Sequence, residues 1–169
     1  MGRKWITFIA VASILVALDV WSKLWALGAL EYGSTRLAWG GFLKLTLSFN
    51  RGAAFGLDLG PASRIIFIVL SFVVLAWLLT VYHRNPGNGV LRASGVILVS
   101  AGAGGNLVDR IFRSRGVVDF LGPYDLGFMV WPIFNLADCY VVIGIGLLFL
   151  SMRQGRLTTG APAAADTVE

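Results

Sequence analysis

The sequence predicts a membrane protein, mainly α, built on four transmembrane helices. Composition is the first sign: 57% of the 169 residues are hydrophobic and only 14% charged. With a mean hydropathy of +0.77, the chain is too apolar for an ordinary soluble domain. The second sign is distribution. Apolar residues gather into four runs, about 5–27, 65–82, 91–108 and 130–150, and each has the roughly 17–25 residues that cross a bilayer as a helix. One unit over residues 1–152 is expected, followed by a disordered tail over 153–169 marked by Gly155, Gly160, Pro162 and three consecutive alanines.

The first run starts behind Arg3-Lys4, as a signal peptide does. Its apolar stretch exceeds the usual length of about 7–15 residues, and no small-x-small site closes it, so it reads as a retained helix. The second run offers only Ser71 and Thr80 as interior polar groups. The third ends in a stretch of small residues, Ala101 to Gly105 with Gly102 among them, which suits close helix packing in a membrane. The fourth carries Asn135 and Asp138 at its start. An even number of spans puts both termini on one side. Arg3, Lys4, Arg84 and Arg92 near helix ends and in a short loop make that side cytoplasmic. Arg36, Lys44, Arg51, Arg110, Arg113 and Arg115 then lie on the outer side and need another task.

Between the first two spans, Leu43 to Asn50 alternates apolar and polar residues with period two, a half-buried strand with Leu43, Leu45, Leu47 and Phe49 on one face. Gly40-Gly41 suits a two-residue hairpin turn after a strand over Thr35–Trp39. Asn50-Arg51-Gly52-Ala53-Ala54-Phe55-Gly56 follows. Its small residues allow another backbone to approach, and Asn50 can bind a peptide group, although a polar turn fits equally well.

Several chemistries lack parts. The net charge of +5 is scattered between apolar runs, which fits anionic lipid better than nucleic acid. A single cysteine, Cys139, makes no internal disulfide and reads as an ordinary buried thiol. The only histidine, His83, falls at the inner side, away from the acidic groups. That leaves no Ser-His-Asp or Cys-His site, and no set of ligands for a metal.

The signal lies in polar residues that three spans place at one depth. Asp19 and Lys23 are four apart on the first helix, acid first, and as a pair they also anchor a helix end. Asn106, Asp109 and Arg110 share a face near the end of the third, which also fits a packing face with interfacial charges. Asn135 and Asp138 are three apart on the fourth. An isolated charge costs about 2.5–3.5 kcal/mol at mid-membrane on translocon scales, whereas a shared cluster can satisfy itself. Asp119, in the loop between the third and fourth spans, would be a solvated aspartate on its own. Beside Asp138 it makes two carboxylates at one partly dry site, which share a proton and can activate water against a carbonyl.

Five blocks carry a resemblance: Asp19-x-x-Ser22-Lys23, Asn50-Arg51-Gly52-Ala53-Ala54-Phe55, Gly104-Gly105-Asn106-Leu107-Val108-Asp109-Arg110, Val117-Val118-Asp119-Phe120 and Phe134-Asn135-Leu136-Ala137-Asp138. In this order over residues 5–150, the sequence closely resembles bacterial lipoprotein signal peptidase (signal peptidase II). The resemblance implies an outer sheet cradle and a short outer helix in the third-to-fourth connection. It implies an aspartyl endopeptidase of the bacterial inner membrane with Asp119 and Asp138 as its catalytic dyad. Asp19, Lys23, Asn50, Gly102, Asn106, Asp109, Arg110 and Asn135 are carried as substrate-binding or supporting positions. The substrate implied is a prolipoprotein with a diacylglyceryl-modified cysteine, cut on the N-terminal side of that cysteine. Membrane lipid is the other partner; no cofactor is implied, and the enzyme is expected to act as a monomer. The reading from another class is a small four-helix transporter or channel that uses the polar cluster as an ion path.

Overall fold

The computed structural model describes residues 2–52, 60–84 and 89–159. Four helices long and apolar enough to cross a membrane form a multi-pass bundle: α1 (Gly2–Ala29), α2 (Ser63–Arg84), α3 (Val90–Phe112) and α4 (Leu136–Thr159). The first three extend a little beyond their apolar runs at both ends. Helix α4 differs. It begins at Leu136 rather than Val130, because Pro132 forces the residue before it out of the helical region. Val130–Trp131 instead forms a strand, β5, paired with β4 (Tyr124–Asp125). At its far end α4 runs to Thr159, through the point at Arg153 where a disordered tail was expected to begin. Arg153 and Gln154 are good helix formers, and residues 160–169 lie outside the described residues.

Helix α3 is the centre of the bundle and packs against the other three. Small residues make this approach possible. A Cβ on Gly102 would run into the carbonyl oxygen of Ala137, and one on Gly95 would meet that of Gly144 at 2.9 Å. Helices α1, α2 and α4 turn Ile14, Trp21, Ile65, Phe72, Ile143 and Phe149 outward, each more than half exposed, as a lipid-facing surface requires. At the end that holds the start of α1 and the last turns of α4, Phe8, Leu78, Tyr82, Val96, Ile97 and Val99 close an apolar core, with Trp5 packed against it. His83 lies at this end too, its ring 6.3 Å from that of Trp5.

The opposite end carries a three-stranded antiparallel sheet in the order β1 (Thr35–Ala38), β2 (Leu43–Asn50), β3 (Val117–Leu121). Leu45, Leu47 and Phe49 of β2 pack with Val118 and Phe120 over Ala26 and Leu30 of the first helix and its end. The alternation is interrupted: the register jumps between Leu45↔Leu121 and Ser48↔Asp119, so Thr46 and Leu47 are both buried. Thr46 stays satisfied by donating its hydroxyl to Gly122 O at 2.7 Å. The turn between β1 and β2 is longer than the two residues expected. Ala38 pairs with Leu43, and Trp39–Gly41 forms a 3-10 turn with Trp39, Gly40 and Gly41 all at positive φ. The connection from α3 to α4 is built from β3, β4 and β5 without the short helix that the resemblance implied. Short helical turns occur in the first connection instead, at Trp39–Gly41 and Gly60–Ala62. Residues 53–59, part of the Asn50–Gly56 stretch singled out in the sequence, lie outside the described residues.

Three arginines at the sheet end have structural tasks. Arg64 donates from Nε and Nη2 to the carbonyls of Arg110 and Ile111 at 2.7 and 2.8 Å, capping the last turn of α3. Arg113 pairs with Asp109 at 2.7 Å. Arg115 lies over the Phe49 ring at 3.9 Å.

Candidate active site

Asp119 owes its position to the pleat of β3. Val118 and Phe120, 0% and 4% exposed, point into the core under the sheet, so Val117 and Asp119 point the other way. The end of α3 fixes the height of that strand. Asp109 accepts the Val118 N–H on Oδ2 at 3.1 Å, and Gly116, at φ +106°, makes the turn against the Asn50 backbone that a side chain would block.

Asp138 is held by a capping box. Asn135 is the N-cap of α4: its Oδ1 accepts the Asp138 N–H at 3.1 Å, while Asp138 Oδ2 accepts the Asn135 N–H at 3.1 Å. Asp19 of α1 supplies a third acceptor, taking the Ala137 N–H on Oδ1 at 2.9 Å. Three N–H groups that the start of a helix leaves unpaired are thereby satisfied by side chains. The two carboxylates also lie at the positive end of the α4 dipole. Local helix chemistry therefore retains a carboxylate in the first turn of a membrane span.

The side chains then join into one network. Asn135 Nδ2 donates to Asp119 Oδ1 at 2.6 Å and to Asn106 Oδ1 at 3.1 Å. Asn106 Nδ2 donates to Asp138 Oδ1 at 2.8 Å. Behind them Lys23 Nζ donates to Asn106 Oδ1 at 2.9 Å and pairs with Asp19 at 2.7 Å and Asp109 at 3.2 Å. Lys23 and Asp19 are fully buried, and Asp109 is 1% exposed. With Arg113 on the outer side of Asp109, two positive charges meet two negative ones. That balance makes their burial tolerable.

Asp119 and Asp138 face one cavity of about 510 Å³. Asn50, Asn106 and Arg110 form its polar wall, and Trp131, Pro132 and Ile133 with Val141, Val142 and Ile143 its apolar one. Arg110 is anchored there by donating to Gly52 O at 3.3 Å. Burial first, and the Asp138 charge second, push the Asp119 carboxyl up to about 7, against hydrogen bonds from Asn135 and Asn50 and the Lys23 charge. A carboxyl that can keep its proton up to the edge of neutrality thus lies beside another. This arrangement can take a proton from water and give one to a carbonyl oxygen.

Residues 11–154 match the family described as signal peptidase (SPase) II. The chain belongs to this family. It is 40% identical over 144 residues to a lipoprotein signal peptidase of Halothermothrix orenii, covering 85% of this chain and 93% of that one. A lipoprotein signal peptidase of Azoarcus sp. is 36% identical over 152 residues, covering 88% and 84%. Among solved structures, a bacterial membrane enzyme superposes with TM-score 0.81 at 25% identity over 95% of this chain and 94% of that one. Another matches with TM-score 0.75 at 28% identity, over 86% and 92%. Family membership makes this protein a membrane peptidase.

The structure sorts the positions singled out in the sequence. Asp119, Asp138, Asn50, Asn106 and Arg110 line the cavity. Asn135 is buried between the two aspartates. Asp19, Lys23 and Asp109 stand behind the asparagines, tying α1 and α3 to the starts of β3 and α4. Gly102 does not line the cavity; it admits the first turn of α4 against α3. Cys139 departs from expectation: it is half-buried and lines the cavity beside Asp138. The 100° between neighbours on a helix still leaves both on a wall this wide. Sequence reasoning missed the wall at residues 131–134, which it placed inside the fourth helix, although Pro132 marked the break. Gly105, in the small-residue stretch read from the sequence as a packing face, is where a Cβ would meet the Asp19 carboxylate.

Proposed function

We propose that this protein removes the signal peptide from diacylglyceryl-modified prolipoproteins, cutting on the N-terminal side of the lipidated cysteine, with Asp119 and Asp138 as an aspartyl dyad. The observation that carries this reading is that one asparagine, Asn135, bonds both carboxyls, Asp119 through its amide and Asp138 through its backbone N–H, on the wall of one cavity. That cavity has a polar wall for a peptide and an apolar wall for a lipid. In the reaction, the carboxylate of the pair takes a proton from water, whose oxygen attacks the scissile carbonyl. The protonated partner gives its proton to the carbonyl oxygen. Collapse of the tetrahedral intermediate breaks the C–N bond, and the leaving amine takes a proton from the dyad. A diacylglyceryl anchor holds the bond at a fixed depth, and positioning of this kind supplies a large part of the rate. Purified protein in detergent is expected to cut a lipidated prolipoprotein and to leave the unlipidated precursor intact. Equal cutting of both would refute the substrate reading.

An ion path fits less well. The polar network stops at the sheet end, and the other half of the bundle is closed by the Phe8–Leu78–Val96 core. Ser71 and Thr80 of α2 are bonded to their own helix, at Phe67 O and Ala76 O.

The proposed orientation has both termini in the cytoplasm of a bacterial inner membrane and the sheet outside. In a Cys139→Ala background, a membrane-impermeant thiol reagent added to intact cells should label a cysteine at Ser34 or Ser114 and not one at Arg84. The opposite pattern places the dyad on the wrong side for lipoprotein processing.

The pH dependence follows from the pair. Activity needs one proton on the dyad, so the alkaline limb reflects loss of the pair's shared proton and, with the Asp119 carboxyl pushed up to about 7, is expected near that pH. Arg110 lines the same cavity, and a positive neighbour favours the ionised form. Its loss in Arg110→Gln should therefore move the alkaline limb to higher pH, by about one unit. The check is a pH–rate profile at low and saturating substrate; a downward shift contradicts the electrostatic role.

A further inference from the structure

We propose that a second cavity, on the α2–α3 side of the sheet, holds the phosphate of an anionic phospholipid from the leaflet at that end of the bundle, through Arg51, Arg64 and Arg110. The proposal goes beyond the peptidase reading and does not depend on the two aspartates. The cavity has a volume of about 580 Å³ and meets the catalytic one at Asn50 and Arg110. Its described walls come from the end of β2 with Arg51, the start of α2 with Ser63 and Arg64, the last turn of α3 with Arg110, and the turn into β3. Three guanidinium groups thus border one space, and no aspartate or glutamate is among its described lining residues.

The positive charges here are not cancelled within the described chain. Arg64 uses two N–H groups on the carbonyls of Arg110 and Ile111, and Arg110 uses one on Gly52 O. A guanidinium has five N–H groups, so both keep donors, and a neutral carbonyl leaves the charge in place. Arg51, an outer arginine for which the sequence offered no task, is exposed. None of the three forms an ion pair with a carboxylate of the described residues, whereas Arg113, close by in sequence, has Asp109 at 2.7 Å. Clustered arginines repel one another unless an anion joins them, and their forked donors match phosphate oxygens. The setting favours a lipid as the source of that phosphate. Arg64 is in the first turn of α2 and Arg110 in the last turn of α3, so the cavity lies where two spans end, at headgroup depth. Next to Arg64, Ile65, Val69 and Phe72 share one face of α2, each more than half exposed. Phe112, at the end of α3, is exposed as well. A phosphate seated among the arginines lays its acyl chains on this apolar stripe, from which a free phosphate or an acidic peptide gains nothing.

Native mass spectrometry of the full-length protein released from detergent, titrated with single lipids, tests the site. Wild type is expected to retain one phosphatidylglycerol, and to hold diacylglycerol with the same chains about tenfold less tightly or worse. Arg51→Gln should weaken phosphatidylglycerol by about tenfold, the scale of one hydrogen bond to a charged group, and Arg51→Lys should recover part of it. Arg51 caps no helix and pairs with no described acid, so these variants keep the fold. Arg36→Gln removes the same charge from β1, outside the cavity, and should leave retention unchanged. Equal loss in Arg36→Gln would mean attraction to net charge alone, and equal retention of diacylglycerol would mean the apolar stripe alone; either overturns the site. Inorganic phosphate at the lipid's concentration should leave the lipid bound, and displacement would make free phosphate the occupant. Unaltered phosphatidylglycerol retention in Arg51→Gln, with a raised KM for lipidated prolipoprotein, would assign the arginines to an acidic stretch of substrate and overturn the lipid proposal. Failure of the dyad reading shows separately, as turnover by Asp119→Asn with lipid retention untouched.

Discussion

Asp119→Asn and Asp138→Asn are each expected to lower cleavage of a lipidated substrate by about 10³-fold or more, the scale of a lost acid–base group. The structure adds a difference between them in stability. In Asp119→Asn the new amide can turn its oxygen to the Asn135 NH2, as Oδ1 does at 2.6 Å, and gives up only the acceptor for Asn50, a donor that lines the cavity where water can take its place. It imitates the protonated acid, so thermal stability should stay close to wild type. In Asp138→Asn two fixed donors meet a side chain that retains one oxygen: Asn106 Nδ2, held by Lys23, and the Asn135 N–H. One N–H faces another, at a cost of about 1–3 kcal/mol for an unsatisfied buried donor. Thermal melts and initial rates on both variants test this. Retained turnover in either would end the two-aspartate mechanism, and equal melting would contradict the donor accounting at Asp138.

Asn135→Ala is expected to damage both folding and catalysis. The cap of α4 is lost, which costs about 0.5–2 kcal/mol, and the link between the carboxyls goes with it. A fall of about 10²-fold in kcat follows from misplaced reacting groups. Asn135→Ser separates the two effects. Serine caps a helix about as well as asparagine, but its hydroxyl cannot reach the Asp138 N–H, Asp119 and Asn106 together. The serine variant should regain most of the stability and little of the activity. Recovery of activity along with stability would mean that Asn135 matters only as a cap.

The place of Asp138 in the first turn of α4 illustrates how much local chemistry is written in the chain. Four apolar runs are enough for four spans, because a bilayer demands length and apolarity and little else. Asn135-x-x-Asp138 just before an apolar run is itself a capping signature, legible in the sequence as the start of α4 and easily passed over for the larger apolar block around it. The strand Leu43–Asn50 was visible through its period of two, and the small residues near Gly102 announced a close helix contact.

Other features depended on distant parts of the chain meeting. No spacing rule links Asp119 to Asp138, or Lys23 to an asparagine far along on another helix. Whether Asp119 is a solvated loop residue or a buried acid depends on which face of β3 the core under the sheet claims. The break at Thr46–Leu47, the strand at Val130–Trp131 and the cavity position of Cys139 were likewise settled by pairing and packing across elements. Alone, the sequence determined the membrane class, the spans and the polar residues that share a depth, since hydropathy and helical period act locally. Only the tertiary structure decided which donor faces which carboxyl. Hydrogen bonds and desolvation depend on distance in space, and the chain records only order.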